Sequence, residues 1–314
     1  MRTPINELSD GQTLDQSFRV GDKQIRLNRD GGKYLLLRLT DATGTIVAMV
    51  WNAGEKLLDA FDTGDYVQLA GRTQIHKGSL QIIGKAVHRL SDSDIDPADF
   101  DRFDAAASDA DLDRVRTLIH GLTDVHLRRL GETFLADEDF IAGLRTAAAA
   151  VNNHHAHPGG LLRHTADMME LAAAIAPRYD GVDTELVVIG AFLHDIGKIH
   201  ELGGDGELNY TDRGQLVGHI VIGVQMLGDK IATLPDFPPE LRTHLEHLIV
   251  SHHGVLEYGS PKIPVTLEAV LLHHIDNLDS KMAACLSVIE NDVAAAGPWT
   301  NYHPGIGRKM WKGR

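Results

Sequence analysis

The hydrophobic pattern of this chain changes once, near Leu90, and that change limits the folds it can adopt. Before Leu90, short runs rich in β-branched and aromatic residues are separated by turn signals such as Asp30-Gly31-Gly32. After Leu112 the apolar residues recur at helical spacing. The 314 residues are enough for two domains. The sequence therefore predicts a multi-domain protein with a β domain followed by an all-α domain.

The first part contains five predicted strands, with a short helix between the third and the fourth. The strands cover residues 18–27, 34–40, 45–51, 66–73 and 79–87, and Asn52 would cap a helix that reaches about Phe61. This order is typical of an OB-fold, a five-stranded Greek-key β-barrel. The stretch from Gly32 to Gly44, together with Gly64-Asp65-Tyr66-Val67, resembles nucleic-acid-binding OB domains.

That resemblance implies a surface where aromatic side chains stack on bases and cations contact phosphates. The candidates for nucleic-acid binding are Tyr34, Arg38, Trp51, Arg72, His76 and Lys77. The alternative reading is that Tyr34 and Trp51 only close the barrel, and the sequence does not decide between the two.

The predicted domains are residues 1–90 for the OB-fold, 91–113 for an acidic linker, 114–297 for the all-α domain and 298–314 for a basic, aromatic tail. We favour docking of the tail on the body of the protein over contact with RNA. Helices are predicted at residues 112–122, 124–135, 139–149, 161–176, 183–200, 214–227, 239–251 and 266–296.

Composition limits the classes of protein to which this chain can belong. The net charge of −14 excludes a chain that is basic throughout, but residues 1–90 hold 12 Lys and Arg against 10 Asp and Glu. The single cysteine excludes an intrachain disulfide and a cysteine-built zinc site. Neither a signal peptide nor an apolar run of membrane-spanning length is visible in the sequence. We therefore expect a cytoplasmic protein without a membrane partner.

Histidines cluster in the helical part, often beside carboxylates. His194-Asp195 ends an apolar run, with Lys198 close behind; if this stretch is helical, the three side chains share one face. Further members of the series are His164, His219, His252-His253 and His273-His274, followed by Asp276 and Asp279. A lone His-Asp pair is more often a pair of ordinary polar residues at a helix end than a metal site. The series as a whole favours a metal site.

The order of these residues resembles the HD-domain metal-dependent phosphohydrolases. The resemblance implies an all-α fold and metal ligands at His164, His194, Asp195, His219, His252, His253 and Asp276. It also implies two divalent ions bridged by Asp195, with Lys198 paired to a phosphate oxygen. Mixed nitrogen and oxygen donors suit Mn, Fe, Co or Zn better than Ca. Mn is our first choice, and Mg is kept open. Thr165, His273, His274 and Asp279 are either supporting groups or ordinary packing and surface residues.

The OB-fold and the HD-type series together resemble the YhaM family of bacterial 3′→5′ exoribonucleases. The resemblance extends from Gly159 through Thr165, from Leu193 through Ile199, and over the segments around His219, His253 and Asp276. His157 departs from the expected pattern, where an aromatic residue would stand. The resemblance implies metal-dependent hydrolysis of single-stranded RNA to nucleoside monophosphates, with Asp195 and Lys198 as catalytic residues.

Several alternatives remain at this level. Single-stranded DNA is a second substrate to test, and self-association of the chain is left open. A second enzyme hypothesis is a phosphodiesterase or phosphatase of small or cyclic nucleotides. The non-enzyme hypothesis is a nucleic-acid-binding protein whose HD-type domain is only structural.

Overall fold

The structure is a computed structural model that describes residues 2–27, 31–51, 57, 59–76, 79–100, 103–149, 158–203, 209–290, 292 and 297–313. These residues form two compact units. The first unit contains the described residues up to 100 and those from 285 onward. The second contains the described residues from 103 to 203 and from 209 to 284.

The first unit is built on a closed barrel of five strands. They are β1 (Thr13–Leu27), β2 (Lys33–Asp41), β3 (Gly44–Trp51), β4 (Tyr66–His76) and β5 (Ser79–Arg89). The order around the barrel is β1-β2-β3-β5-β4, with β3 and β5 parallel and the other pairs antiparallel. This confirms the predicted five-stranded OB-fold.

Alternation along each strand separates a core face from an outer face. On β2, Leu35, Leu37 and Leu39 are fully buried, whereas Tyr34 and Arg38 lie on the outer face. The core also contains Phe18, Val67, Leu69 and Ile82. The helix predicted after Asn52 falls largely outside the described residues.

The second unit is helical, as predicted. Its helices are α1 (Ala105–His120), α2 (Val125–Leu135), α3 (Glu138–Thr146), α4 (Gly160–Ile175), α5 (Thr184–Leu193), α6 (Lys198–Glu201), α7 (Asp212–Val217), α8 (His219–Ala232), α9 (Pro239–Ser251) and α10 (Leu267–Glu290), the last of which continues into the first unit. Aspartates at the N-caps of α1, α2, α3 and α5 accept backbone N–H groups, which satisfies donors that a helix start would leave unpaired.

Helix α5 forms the centre of this unit. It is buried from Leu186 to Leu193, and Phe192 packs against Phe134 and Phe140 with ring centroids 5.7 Å and 6.0 Å apart. A helix that is apolar on all sides belongs in a core. Its C-terminal end therefore places His194 and Asp195 inside the protein.

Two of the predicted helices are interrupted in the structure. The helix predicted over 183–200 ends at Leu193, turns continue to Gly197, and α6 begins at Lys198. The helix predicted over 214–227 is divided at Gly218, whose φ of 79° is incompatible with a continuing α-helix. A two-residue strand pair, β6 (Leu202–Gly203) with β7 (Asn209–Tyr210), was also not predicted.

The segments flanking the helical core are more ordered than their composition suggests. Residues 105–113 of the predicted acidic linker form the first turns of α1. In the tail, Trp299 pairs with Trp311 and His303 with Arg308, while the Lys312 ammonium lies 3.0 Å from an Asp292 carboxylate oxygen. Apart from this contact of Lys312, docking of the tail on the body of the protein stays a prediction. Within the described residues, none of the helices is both long enough and apolar enough to cross a membrane.

Candidate metal centre

The site is arranged around the carboxylate of Asp195, which follows the buried end of α5. Asp195 is 3% exposed, so each of its oxygens needs polar neighbours within the protein. Oδ2 lies 2.6 Å from Lys198 Nζ, 3.3 Å from His194 Nε2 and 3.7 Å from His164 Nε2. Oδ1 lies 3.5 Å from His219 Nε2 and 3.6 Å from His252 Nε2. The two oxygens therefore face different sets of imidazoles.

The first set, which we call the first histidine group, consists of His164 and His194 with Asp195. His164 projects from α4, and its Nε2 lies 3.2 Å from His194 Nε2. Asp276 on α10 adds a second carboxylate, 3.5 Å from His164 Nε2. Nitrogen and oxygen atoms of His164, His194 and Asp195 all lie within 4.8 Å of one another, close enough to share one ion.

The second histidine group consists of His219, His252 and His253. His219 is the first residue of α8, and His252-His253 follow the last residue of α9. The ring centroid of His253 lies 5.2 Å from that of His219 and 4.3 Å from that of His252. Ligand atoms of these three residues also lie within 4.8 Å of one another.

Backbone carbonyls hold three of the five imidazole rings in the two groups through their Nδ1 atoms. Backbone carbonyls of Ala191, Ile249 and Tyr258 lie 2.8, 2.7 and 2.8 Å from the Nδ1 atoms of His194, His252 and His253, respectively. Because a carbonyl only accepts hydrogen bonds, each Nδ1 carries the proton. In a neutral ring, this leaves the Nε2 lone pair for a metal ion.

Carboxylates hold the other two rings. Asp279 Oδ2 lies 2.9 Å from His164 Nδ1, and Glu201 Oε1 lies 2.9 Å from His219 Nδ1. A carboxylate behind a metal-binding histidine orients the ring and makes it more basic. The geometry therefore supplies the supporting partners that a metal centre needs.

Three atoms at the centre lack a hydrogen-bond partner within the described part of the chain. They are Asp195 Oδ1, His219 Nε2 and His252 Nε2, all buried. With the protons placed as above, all three offer lone pairs. Burying acceptors that face one another without a donor is costly. A divalent cation resolves that cost, so the residues present fit a metal ion.

The electrostatics of the site favour the metal-binding protonation states of Asp195 and His252. At His194, burial opposes the charged ring, but Asp195 outweighs burial and raises the pKa of this imidazole, so metal binding there must displace a proton. Burial disfavours an ionised Asp195, but Lys198 and His194 outweigh it and hold the pKa of this carboxyl well below its usual value. Burial also opposes a charged Lys198, yet its carboxylate neighbours, led by Asp195, raise the pKa of this ammonium. Burial holds the pKa of His252 well below its usual value, so its ring is neutral at pH 7. Ionised carboxylates and neutral imidazoles are the forms that bind metals.

The structure brings all seven predicted ligands and Lys198 into this centre. The one-face argument for His194, Asp195 and Lys198 was wrong in its premise, because α5 ends at Leu193 and the contact of Lys198 is made across a turn. Of the supporting candidates, His273 Nδ1 lies 2.8 Å from the His252 carbonyl oxygen, whereas Thr165 donates to Leu161 of its own helix and His274 is exposed. Residues 154, 155 and 157 lie outside the described residues.

Sequence reasoning missed Glu201. It is 7% exposed, and its Oε1 accepts from both the backbone N–H and the ring of His219. A carboxylate seven residues after His194 has no pattern of its own. The available signal was indirect: a helix that begins directly at His219 leaves N–H groups that need an acceptor.

The predicted nucleic-acid contacts occupy two places on the barrel. Tyr34 and Trp51 are paired across β2 and β3 with ring centroids 4.9 Å apart, and Trp51 is 44% exposed. Arg38 lies on the same outer face of β2. Arg72 is on β4, separated from β2 by β1, and donates to the Gly11 carbonyl oxygen. Lys77 lies outside the described residues, and His76 is exposed at the end of β4.

Each of the two units contains a segment that matches the model of a known protein family. Residues 161–281 match the model described as the HD domain, and residues 19–90 match the model described as an OB-fold nucleic acid binding domain. The chain thus combines an OB-fold with an HD domain. The HD match, with the buried His/Asp cluster, indicates a metal-dependent phosphohydrolase, and the OB-fold match indicates a nucleic-acid-binding domain.

Two solved structures resemble a part of the chain. The second OB-fold domain of replication protein A from Methanococcus maripaludis is 24% identical, with 29% of this chain and 96% of that chain covered and a TM-score of 0.25. The p204 HINb domain is 14% identical, with a TM-score of 0.24; the match covers 29% of this chain and 47% of that one.

Proposed function

We propose that this protein is a metal-dependent 3′→5′ exonuclease that hydrolyses single-stranded RNA to nucleoside monophosphates. The observation that supports it best is the carboxylate of Asp195, whose two oxygens face separate histidine groups. Such a carboxylate suits a pair of cations, and metal pairs are common in enzymes that cleave phosphodiesters. The barrel supplies the reason to choose a polymeric substrate. The 3′→5′ direction rests on the resemblance to the YhaM family.

In this proposal the two histidine groups and Asp276 hold the ions, with Mn²⁺ as the first cation to test. Bound divalent ions would activate a water molecule and neutralise charge on the phosphate. Lys198 keeps its positive charge beside Asp195 and offers it to a non-bridging phosphate oxygen. On the barrel, Tyr34 and Trp51 offer ring surfaces to bases, and Arg38 offers a cation to the phosphates.

The proposal is tested with a 20-nucleotide unstructured RNA labelled at one end or the other. With Mn²⁺, the 5′-labelled strand should shorten through a ladder, and the 3′-labelled strand should release labelled mononucleotide at once. EDTA should abolish both patterns, and Mn²⁺ added in excess should restore them. Internal cleavage fragments, or release of 5′-labelled mononucleotide first, would contradict the proposed direction.

A phosphodiesterase of small or cyclic nucleotides is the second candidate. It is favoured by the position of all seven proposed ligands within the second unit, so that the centre needs no residue of the barrel. Cyclic dinucleotides should be tested at the same enzyme and Mn²⁺ concentrations as the RNA. A kcat/KM that is higher for the cyclic dinucleotide than for the RNA would select this alternative.

The barrel surface gives a prediction of its own. Trp51→Ala should raise the KM for the 20-nucleotide RNA about 5- to 150-fold, because stacking contributes roughly 1–3 kcal/mol per base. The kcat should change little, since the contact is the same in the ground state and the transition state. Trp51→Phe should recover part of the loss. Ile75→Ala, a change of a partly exposed residue near the end of β4, is the matched control. An unchanged KM in Trp51→Ala would leave Tyr34 and Trp51 with a structural role only.

A further inference from the structure

The two histidine groups differ in the donors they offer. The first contains the carboxylate of Asp195, and Asp276 lies 3.5 Å from its His164. The second contains only imidazoles, and its access to negative charge is the shared Oδ1 of Asp195, 3.5 Å from His219 and 3.6 Å from His252. Oxygen-rich sites accept hard cations such as Mn²⁺ and Mg²⁺, whereas nitrogen-rich sites favour cations such as Co²⁺ and Zn²⁺.

Glu201 lies directly behind the second group. Its Oε1 accepts two hydrogen bonds from one residue, from the His219 backbone N–H at 2.9 Å and from His219 Nδ1 at 2.9 Å. The first bond fixes the start of α8, and the second fixes the rotation of the ring. Glu201 is itself fixed, because its carbonyl oxygen accepts from the Thr211 N–H at 2.9 Å. His219 Nε2 is consequently directed towards Asp195 Oδ1.

The first group has a counterpart in Asp279, whose Oδ2 lies 2.9 Å from His164 Nδ1. Each group thus has one carboxylate-supported histidine, and the other rings, His194, His252 and His253, are held by backbone carbonyls. A backbone carbonyl is part of the main chain and survives any substitution. In the second group, Glu201 is therefore the supporting side chain that a substitution can remove.

We propose that the two histidine groups are unequal divalent-metal sites, and that Glu201 is the positioning residue that sets the affinity of the second one. This inference rests on the metal-dependent function proposed above and deepens it. The first group should fill first with Mn²⁺. The second should fill at higher Mn²⁺ concentration and should discriminate more strongly in favour of Co²⁺ or Zn²⁺.

The test uses the full-length, metal-depleted protein, titrated with Mn²⁺ by calorimetry and with Co²⁺ by visible absorption. Metal content after desalting gives the stoichiometry. The wild-type protein should bind two ions with separate affinities. Removing a support of this kind costs about 10- to 100-fold in metal affinity. Glu201→Ala should lose affinity for the weaker Mn²⁺ ion near the upper end of that range, and the stronger ion should be unaffected.

Glu201→Gln separates position from charge. The Gln side chain keeps a carbonyl oxygen that can accept both bonds from His219, so it should recover most of the affinity lost in Glu201→Ala. Asp279→Ala is the matched change on the first group, because it removes the acceptor of His164 Nδ1, and it should weaken the tighter ion instead. Unfolding followed by circular dichroism of the metal-free proteins separates a local effect from general loss of the fold.

Two results would overturn the inference. One is a pair of Mn²⁺ ions with equal affinities in the wild-type protein. The other is a Glu201→Ala variant that weakens both ions to the same extent, or weakens neither of them. Binding is measured without RNA, so the outcome is distinct from that of the nuclease assay. A protein that leaves RNA intact but binds two unequal ions, the weaker of which is lost in Glu201→Ala, would refute the proposed exonuclease and support the role of Glu201.

Discussion

Asp195→Asn is expected to keep the fold and to lose at least ~10³-fold in kcat. Asn has one oxygen and one NH2 group where Asp195 has two acceptors. In one orientation the NH2 group faces Lys198 Nζ, which lies 2.6 Å from the present oxygen. In the other it faces the lone pairs of His219 and His252. Either arrangement removes one side of the bridge, and several kcal/mol of transition-state stabilisation correspond to such a loss in rate.

The measurement is single-turnover cleavage of the labelled RNA at saturating Mn²⁺, with the bound metal quantified in the same sample. Asp167→Asn is a suitable control, because Asp167 pairs with Arg114 and Arg163 in the same unit but away from the centre. It should keep the wild-type rate. If Asp195→Asn turns over within about tenfold of the wild-type protein at equal metal content, the bridging role assigned to Asp195 is wrong.

The sequence was a good guide to the fold because the two units follow strong local patterns. Leu35 to Leu37 and Leu39 form a short apolar run bounded by turn signals, which predicts a strand although Leu36 lies on the outer face. The aspartates that cap α1, α2, α3 and α5 stand in the sequence as start signals. Helix ends were less visible. The segment from His194 to Ile199 does not by itself mark Leu193 as the last helical residue.

The residues of the candidate site were predicted from their types and their order. Their geometry could not be predicted from the sequence. His164 and Asp276 lie on two different helices and His194 follows the end of a third, so only tertiary packing places them together. The supporting partners illustrate the limit most clearly. Asp279 stood beside a recognised motif and was considered, whereas Glu201 lies in an ordinary-looking segment and gains its role from the start of α8. Backbone carbonyls that hold rings have no sequence signature at all.

Gly197, where α8 approaches the turn after Asp195, is expected to tolerate no larger residue, for a steric reason. A β-carbon at this position would overlap the carbonyl oxygen of His219 and lie 2.8 Å from the backbone nitrogen of Gly223. Both neighbours are main-chain atoms, which cannot rotate away as a side chain can. The Gly197 φ of −63° is available to any residue, so close approach, rather than backbone conformation, requires glycine here.

Gly197→Ala should therefore push α8 away from Asp195 and destabilise the helical unit by about 1–3 kcal/mol, the usual cost of overpacking. Since His219 moves with α8, binding of the second metal ion should weaken at the same time. Gly223→Ala is the matched control on the facing helix: its β-carbon would meet Ile249 at 3.5 Å, an ordinary contact, and should be tolerated.

Unfolding of both variants should be followed by circular dichroism at 222 nm. Trp51, Trp299 and Trp311, the tryptophans of the chain, all belong to the first unit, so tryptophan fluorescence reports on that unit instead. Gly197→Ala should lower the midpoint of the dichroism transition and leave the fluorescence transition in place. Because the substitution adds a single methyl group and changes no charge, a loss of the second ion here would tie metal binding to the distance between α8 and Asp195. Equal stability and equal metal affinity in Gly197→Ala and Gly223→Ala would show that α8 can shift without cost, and that the second histidine group does not depend on this approach.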